Sequence, residues 1–320
     1  MSNRPRVFRV LELLILVAVV AGCQGGGAKM EPAREKDQTL EFGRQLLSKL
    51  EESRTYDSRL IDRMISHPRV ELRQEAVLTV GRLRDERGVE AVAGRLLDRG
   101  EPPEVRASAA FALGLIGTLS SLEALVAGLD DPEASVREEA SRALGRISGE
   151  GSGIRAVEAL VAALGDPDAT VRGAAALACW HLGKEARAAT GPLVAILSDE
   201  GELDEVRWRT AYALMRIADP DSTPSLRKGL SDRDGLVRTY SAWGLRNLED
   251  SQAVVPLGAL LADPSSPWTA RVEALRTIGA LREGGRCDLV ASRDILLEHL
   301  IREKHPLAQQ TLVEALASGA

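Results

Sequence analysis

Aromatic residues are scarce in this 320-residue chain: Phe, Trp and Tyr together make up 3% of it, although hydrophobic residues make up 44%. A core with so few rings has to be assembled from Ala, Leu, Val and Ile, which favours closely packed helices. Histidine is limited to His67, His181, His299 and His305, and only the last two are neighbours in sequence. With no HxxxH or paired-Cys spacing beside them, no metal site is expected. A Gly-rich phosphate loop, a nucleophile elbow and a CxxCH haem motif are all missing. No catalytic residue and no cofactor are therefore expected, and the chain reads as a non-enzyme. Charge of one sign is missing too. The 41 basic and 47 acidic residues are interspersed, giving a net −6 without the basic stripe that a phosphate backbone requires. Nucleic acid is not an expected partner.

Of the three cysteines, Cys179 falls where other segments carry Leu and is expected to be a small buried apolar residue. Cys287 lies roughly 30 Å away, at about 10 Å per helix pair, out of disulfide reach. Long apolar runs are also lacking. The longest, Leu13 to Ala21, is too short to span a bilayer and follows Arg4, Arg6 and Arg9. It ends in Val20-Ala21-Gly22-Cys23, which resembles the lipobox of bacterial lipoproteins, with Val20 where Leu is usual. The resemblance implies that residues 1–22 are a signal peptide and that Cys23 is lipidated, tethering the chain to a membrane of the cell envelope. In a Gram-negative cell, Gln24 after Cys23 would imply the periplasmic side of the outer membrane. Residues 23–38, rich in Gly and charge, are expected to be a flexible tether. A capping helix is expected over 39–56, and a repeat array over 57–320.

The array announces itself through repetition. An apolar-Arg pair recurs at Leu72-Arg73, Val105-Arg106, Val136-Arg137, Val171-Arg172, Val206-Arg207, Val237-Arg238 and Ala270-Arg271, the arginines 31 to 35 residues apart, with a weaker eighth copy at Gln309. Each copy reads as a helix pair. Leucines such as Leu122, Leu125 and Leu129 line the first helix, a turn such as Asp131-Pro132 follows, and the second helix carries Val136, Ala140, Ala143, Leu144 and Ile147. At about 100° per residue those five fall within about 120° of arc, which is the buried stripe. No copy buries its stripe alone, so stacking has to supply the core.

The Asp-Pro turn, the Val-Arg pair and the Ala-x-x-Ala-Leu-Gly second helix resemble HEAT repeats of the short bacterial kind shared with bilin lyases of phycobilisomes. The resemblance implies an all-α fold, a right-handed α-solenoid of about eight helix pairs. It also implies a ladder between turn aspartate and second-helix arginine, with Asp131 matched to Arg137, Asp166 to Arg172 and Asp232 to Arg238. His67 and His305 stand in for the aspartate in the first and last copies.

Half of the ten aromatics fall in the second helices of copies four to six: Trp180, Trp208, Tyr212, Tyr240 and Trp243. Four of them, all but Tyr240, point away from the buried stripe, and the resemblance places all five on a concave face, flanked by Arg209, Arg216, Arg246 and His181. Aromatic and Arg clusters make binding hot spots. The expected function is therefore a membrane-anchored, non-catalytic scaffold binding a protein or peptide there, with a bilin-lyase-like enzyme or a glycan-binding envelope module as alternatives.

Overall fold

The computed structural model describes residues 32–147 and 152–318. The expected signal peptide, Cys23 and the start of the expected tether lie outside them. The chain divides into two units, Met1–Gln45 and Leu46–Ala320. Helix α1 (Pro32–Ser53) begins in the first and ends in the second. It starts seven residues earlier than the capping helix expected at 39, inside the segment read as tether. Pro32 suits a first helical position and Ala33, Arg34, Glu35 and Lys36 are good helix formers, so local propensity prevails over low hydrophobicity. No helix among the described residues is long and apolar enough to cross a membrane.

The second unit is an α-solenoid. Its helix pairs are α2 (Ser58–Ile65) with α3 (Val70–Leu83), α4 (Val89–Leu97) with α5 (Pro103–Ile116), and α6 (Leu122–Gly128) with α7 (Ala134–Leu144). There follow α8 (Ser152–Ala163) with α9 (Ala169–Leu182), α10 (Thr190–Ser198) with α11 (Asp204–Ile217), and α12 (Thr223–Gly229) with α13 (Gly235–Asn247). The last are α14 (Val254–Ala262) with α15 (Trp268–Glu283), and α16 (Leu289–Leu300) with α17 (Pro306–Ala317). The predicted stripe is buried throughout: Val136, Ala140, Ala143, Leu144 and Ile147 all sit in the core. At the N-terminal end Leu46, Leu47 and Leu50 are buried, and Glu51 accepts hydrogen bonds from Thr79 and Arg82 of the first copy.

Successive second helices meet at small residues. A Cβ placed on Gly114 would stand 2.7 Å from Ala143 Cβ and 2.9 Å from its Cα, and Gly81 meets Ala112 and Gly145 meets Ala178 in the same way. Gly114→Ala is therefore expected to lower stability by about 1–3 kcal/mol in urea unfolding, because backbone has to move. Gly94→Ala, on α4 with open space around it, serves as the control and should be neutral or stabilising.

An arginine ladder holds the register, and its pairing differs from the expected one. The carboxylate bound by each arginine belongs to the following copy, not its own. Arg137 Nε donates to Asp166 at 2.8 Å, Arg106 Nε to Asp131 at 2.8 Å, and Arg238 Nη1 to Asp263 at 2.9 Å. Arg207 pairs with Asp232. Within its own copy Arg137 reaches only the turn carbonyls, Asp131 O at 2.9 Å and Pro132 O at 3.1 Å. The reason is the turn itself: Asp131 Oδ1 accepts the Glu133 N–H, which aims the carboxylate at the preceding arginine. Glutamates complete the remaining rungs, Arg73 to Glu101, Arg172 to Glu202 and Arg271 to Glu303. His67 does replace the turn aspartate, its Nδ1 accepting the Arg69 N–H at 3.1 Å. In the last copy Glu303, not His305, takes the part, accepting the His305 N–H at 2.8 Å.

Candidate functional site

The predicted aromatic cluster assembles, with a different connectivity. In copies four to six the small residue that elsewhere joins neighbouring second helices is replaced by Trp180, Met215 and Arg246. Rings fill the surface there. Trp180 of α9 stacks on Tyr212 of α11 with centroids 4.6 Å apart and 20° between planes, and Tyr212 meets Tyr240 of α13 at 4.5 Å. Trp208 joins through Tyr240 at 6.2 Å. Trp243 makes no ring pair among the described residues; Arg246 lies over it at 5.5 Å. Trp180, Trp208 and Tyr212, expected to point outward, are thus half-buried in a ring cluster with Tyr240, and Trp243 is half-buried beside Arg246. Tyr240, which helical spacing does not place with the other four, is the ring that links Trp208 to Tyr212. Burial, with Tyr212 beside it, pushes the Tyr240 hydroxyl pKa up.

Cations rim these rings. Arg216 stands 4.6 Å over Trp180 and Arg209 5.5 Å over Trp208, contacts of the cation–π kind. Arg209 is also paired with Glu205, and Arg246 with Glu273 at 2.8 Å. His181 packs edge-on against Trp180 at 4.9 Å. Burial, then Arg146 and Arg216, hold its pKa below the usual imidazole value. Sequence reading missed Arg146 and its partner Phe111, over which the guanidinium sits at 5.6 Å. It also missed Trp268, stacked on His305 at 4.5 Å with planes 3° apart.

A metal or nucleophile finds little to use. Among the described residues no three His, Cys, Asp or Glu side chains are placed to share a metal ion. The nearest approach is His299 and His305 beside Glu303. There the carboxylate is saturated by Arg271, His299 Nε2 at 2.9 Å and the Lys304 and His305 N–H groups, while the His305 ring lies against Trp268. Cys179 is buried and free, its thiol pushed up to about 12 by desolvation, which leaves it inert. A cavity of about 290 Å³ near the turns of copies five and six offers no free charge either. Its Arg207 is paired with Asp232, Lys228 with Glu200 at 3.1 Å and Arg233 with Asp204 at 2.6 Å.

The model of HEAT repeats matches residues 58–145, 95–179 and 157–245, and that of the PBS lyase HEAT-like repeat matches 237–263. Deoxyhypusine hydroxylase of Rattus norvegicus is 28% identical over 239 residues, 74% of each chain. That of Mus musculus is 29% identical over 210 residues, 66% of this chain and 65% of its own. The crystal structure of importin beta superposes over 82% of this chain and 40% of its own with a TM-score of 0.61 at 15% identity, a likeness of fold. These relatives correct the expectation of a non-catalytic scaffold and of no enzyme, since the similar curated proteins carry an enzyme's name over most of the chain. No residue motif announced this, because the shared signal lies in the repeats themselves. With overlapping matches running from residue 58 to 245, this chain belongs to the HEAT-repeat proteins.

Proposed function

We propose that the chain is an enzyme acting on a residue carried by a protein substrate, and that the second-helix surface of copies four to six receives that substrate. The observation that carries the reading is the similarity to deoxyhypusine hydroxylases over 74% of both chains. Hydroxylation is accordingly the first reaction to test. Inserting oxygen into a carbon–hydrogen bond draws on a redox-active metal or organic cofactor. The donor set of the described residues does not fit a metal ion, because Glu303 is saturated and the other histidines stand apart, so no step is routed through one here. What this chain's own residues supply is a binding surface of stacked rings rimmed by guanidinium groups, with ring faces already occupied by neighbours. The test is mass spectrometry of a deoxyhypusine-bearing protein incubated with the full chain, dioxygen, a two-electron reductant such as ascorbate and each first-row divalent metal in turn, one oxygen atom entering the carbon–hydrogen bond and the other leaving as water. Gain of one oxygen atom supports hydroxylation; an unchanged mass with every metal retires it.

We propose further that Cys23 carries the lipid that its lipobox-like setting implies, which would hold the enzyme at a membrane of the cell envelope. A chain expressed with labelled fatty acid is expected to take up label, and Cys23→Ser to take up none. Equal labelling of the two would end the proposal.

A further inference from the structure

The residues ten positions after the apolar member of each Val-Arg pair form a row across neighbouring second helices: Arg146, His181 and Arg216 in copies three, four and five. They are close enough for both arginines to act on His181, lowering its pKa after burial has done so. Each arginine is exposed and rests on a ring of the preceding copy, Arg146 on Phe111 and Arg216 on Trp180. Neither has a carboxylate partner among the described residues. Their neighbours in the same copies are compensated: Arg142 is bonded to Glu138 and Glu139, and Arg209 to Glu205. On a chain whose net charge is −6, these two guanidinium groups, uncompensated among the described residues, form a local cationic site.

Rings hold the arginines without neutralising them. A flat guanidinium laid on an aromatic face keeps its edge donors in plane and free, the geometry that takes a carboxylate through two parallel hydrogen bonds. Stacked helices lie about 10 Å apart, so Arg146 and Arg216 are separated by about 20 Å, the span of about six residues of extended peptide. A glycan would need open ring faces, and the Trp180 and Tyr212 faces are engaged by each other, by Arg216 and by Tyr240.

We propose that the row Arg146–His181–Arg216 binds an acidic, extended segment of a protein substrate, with carboxylates about six residues apart seated on the two arginines. The inference rests on the reading that the second-helix surface of copies four to six receives a protein substrate; it extends that surface to Arg146 of copy three and names the charge of what is received. Binding is measured without turnover, so a failed hydroxylation assay and a failed binding assay are separate results.

The experiment is fluorescence anisotropy of the full chain with a labelled peptide of about twelve residues that carries two glutamates about six apart. A counterpart with glutamines is run beside it, and a sulfated polysaccharide fragment is the competing anion. The glutamate peptide is expected to bind at least about tenfold more tightly than the glutamine one, and more weakly as salt is raised. Arg146→Glu combined with Arg216→Glu is expected to weaken it about a hundredfold with helical content unchanged, since both side chains are exposed. Equal binding of the two peptides would overturn the proposal, as would full affinity in the double variant. Tighter binding of the polysaccharide through the same arginines would assign the row to a sulfated chain and overturn it too.

Discussion

Asp131→Ala is expected to lower stability by about 3–5 kcal/mol, because it leaves a buried guanidinium without its counter-charge. The Asp131 carboxylate has no exposed surface and Arg106 retains only 5% of its side-chain exposure. Arg106 Nε and Nη2 reach the two carboxylate oxygens at 2.8 and 2.9 Å, Arg99 adds a third cationic donor and the Glu133 N–H a fourth. Removing the carboxylate strands the two buried Arg106 donors at the junction of copies two and three, while Arg99 keeps access to solvent. In a linear array such a junction is one of the nearest-neighbour terms that couple the copies. Hydrogen exchange should quicken first in α5 and α7, and urea unfolding should broaden. Asp131→Leu with Arg106→Met separates charge loss from packing: an apolar pair of similar volume is expected to recover most of the loss, as buried ion pairs replaced whole often do. Burial raises the Asp131 pKa, but Arg106, the Glu133 N–H and Arg99 outweigh it and hold it below the ordinary value. With the folded pKa depressed, this rung's contribution is present above the unfolded pKa of about 3.9 and is lost as pH falls through the folded one.

The repeat and its buried stripe were legible because a period of 3.6 places Val136, Ala140, Ala143, Leu144 and Ile147 on one face without help from any neighbour. Pairings between copies were not. The turn hydrogen bond at Asp131 decides which way its carboxylate points, and no residue spacing reports that. At Glu101, Glu202 and Glu303 the Asp-Pro signature is absent, and a longer side chain from a different turn position makes the same bond. The same reason hid Arg146. Its ring partner Phe111 lies one copy back, so the contact appears only when residues ten positions into one second helix are compared with those six into the last. Helical spacing alone does not turn Tyr240 away from the stripe with the other four rings, and it is packing on Tyr212 that makes it the link to Trp208. The enzyme relationship had no local signal at all, since the likeness to deoxyhypusine hydroxylases runs through the whole array.

The last copy should be the part of the solenoid that acid opens, and Glu303→Gln should remove that sensitivity. Burial pushes the Glu303 carboxyl up. Arg271, the His305 N–H and His299 more than offset it and bring it from 4.5 down to about 2. A depressed carboxylate contributes stability that is complete above the unfolded pKa and vanishes as pH falls through the folded one, here between 4.5 and about 2. The displacement corresponds to about 3 kcal/mol at neutral pH. Glutamine keeps the shape but loses the charge, so Glu303→Gln is expected to be less stable by about that amount at pH 7, and the opening of its last copy to be nearly indifferent to pH across the same window. Because Arg271 lies on α15 and Glu303 between α16 and α17, the loss should appear as early exchange of the amides of α16 and α17 while α7 and α9 stay protected. Hydrogen exchange followed by mass spectrometry at stepped pH checks both statements. An acid transition in Glu303→Gln as steep as in the wild type would place the titrating group elsewhere in the array.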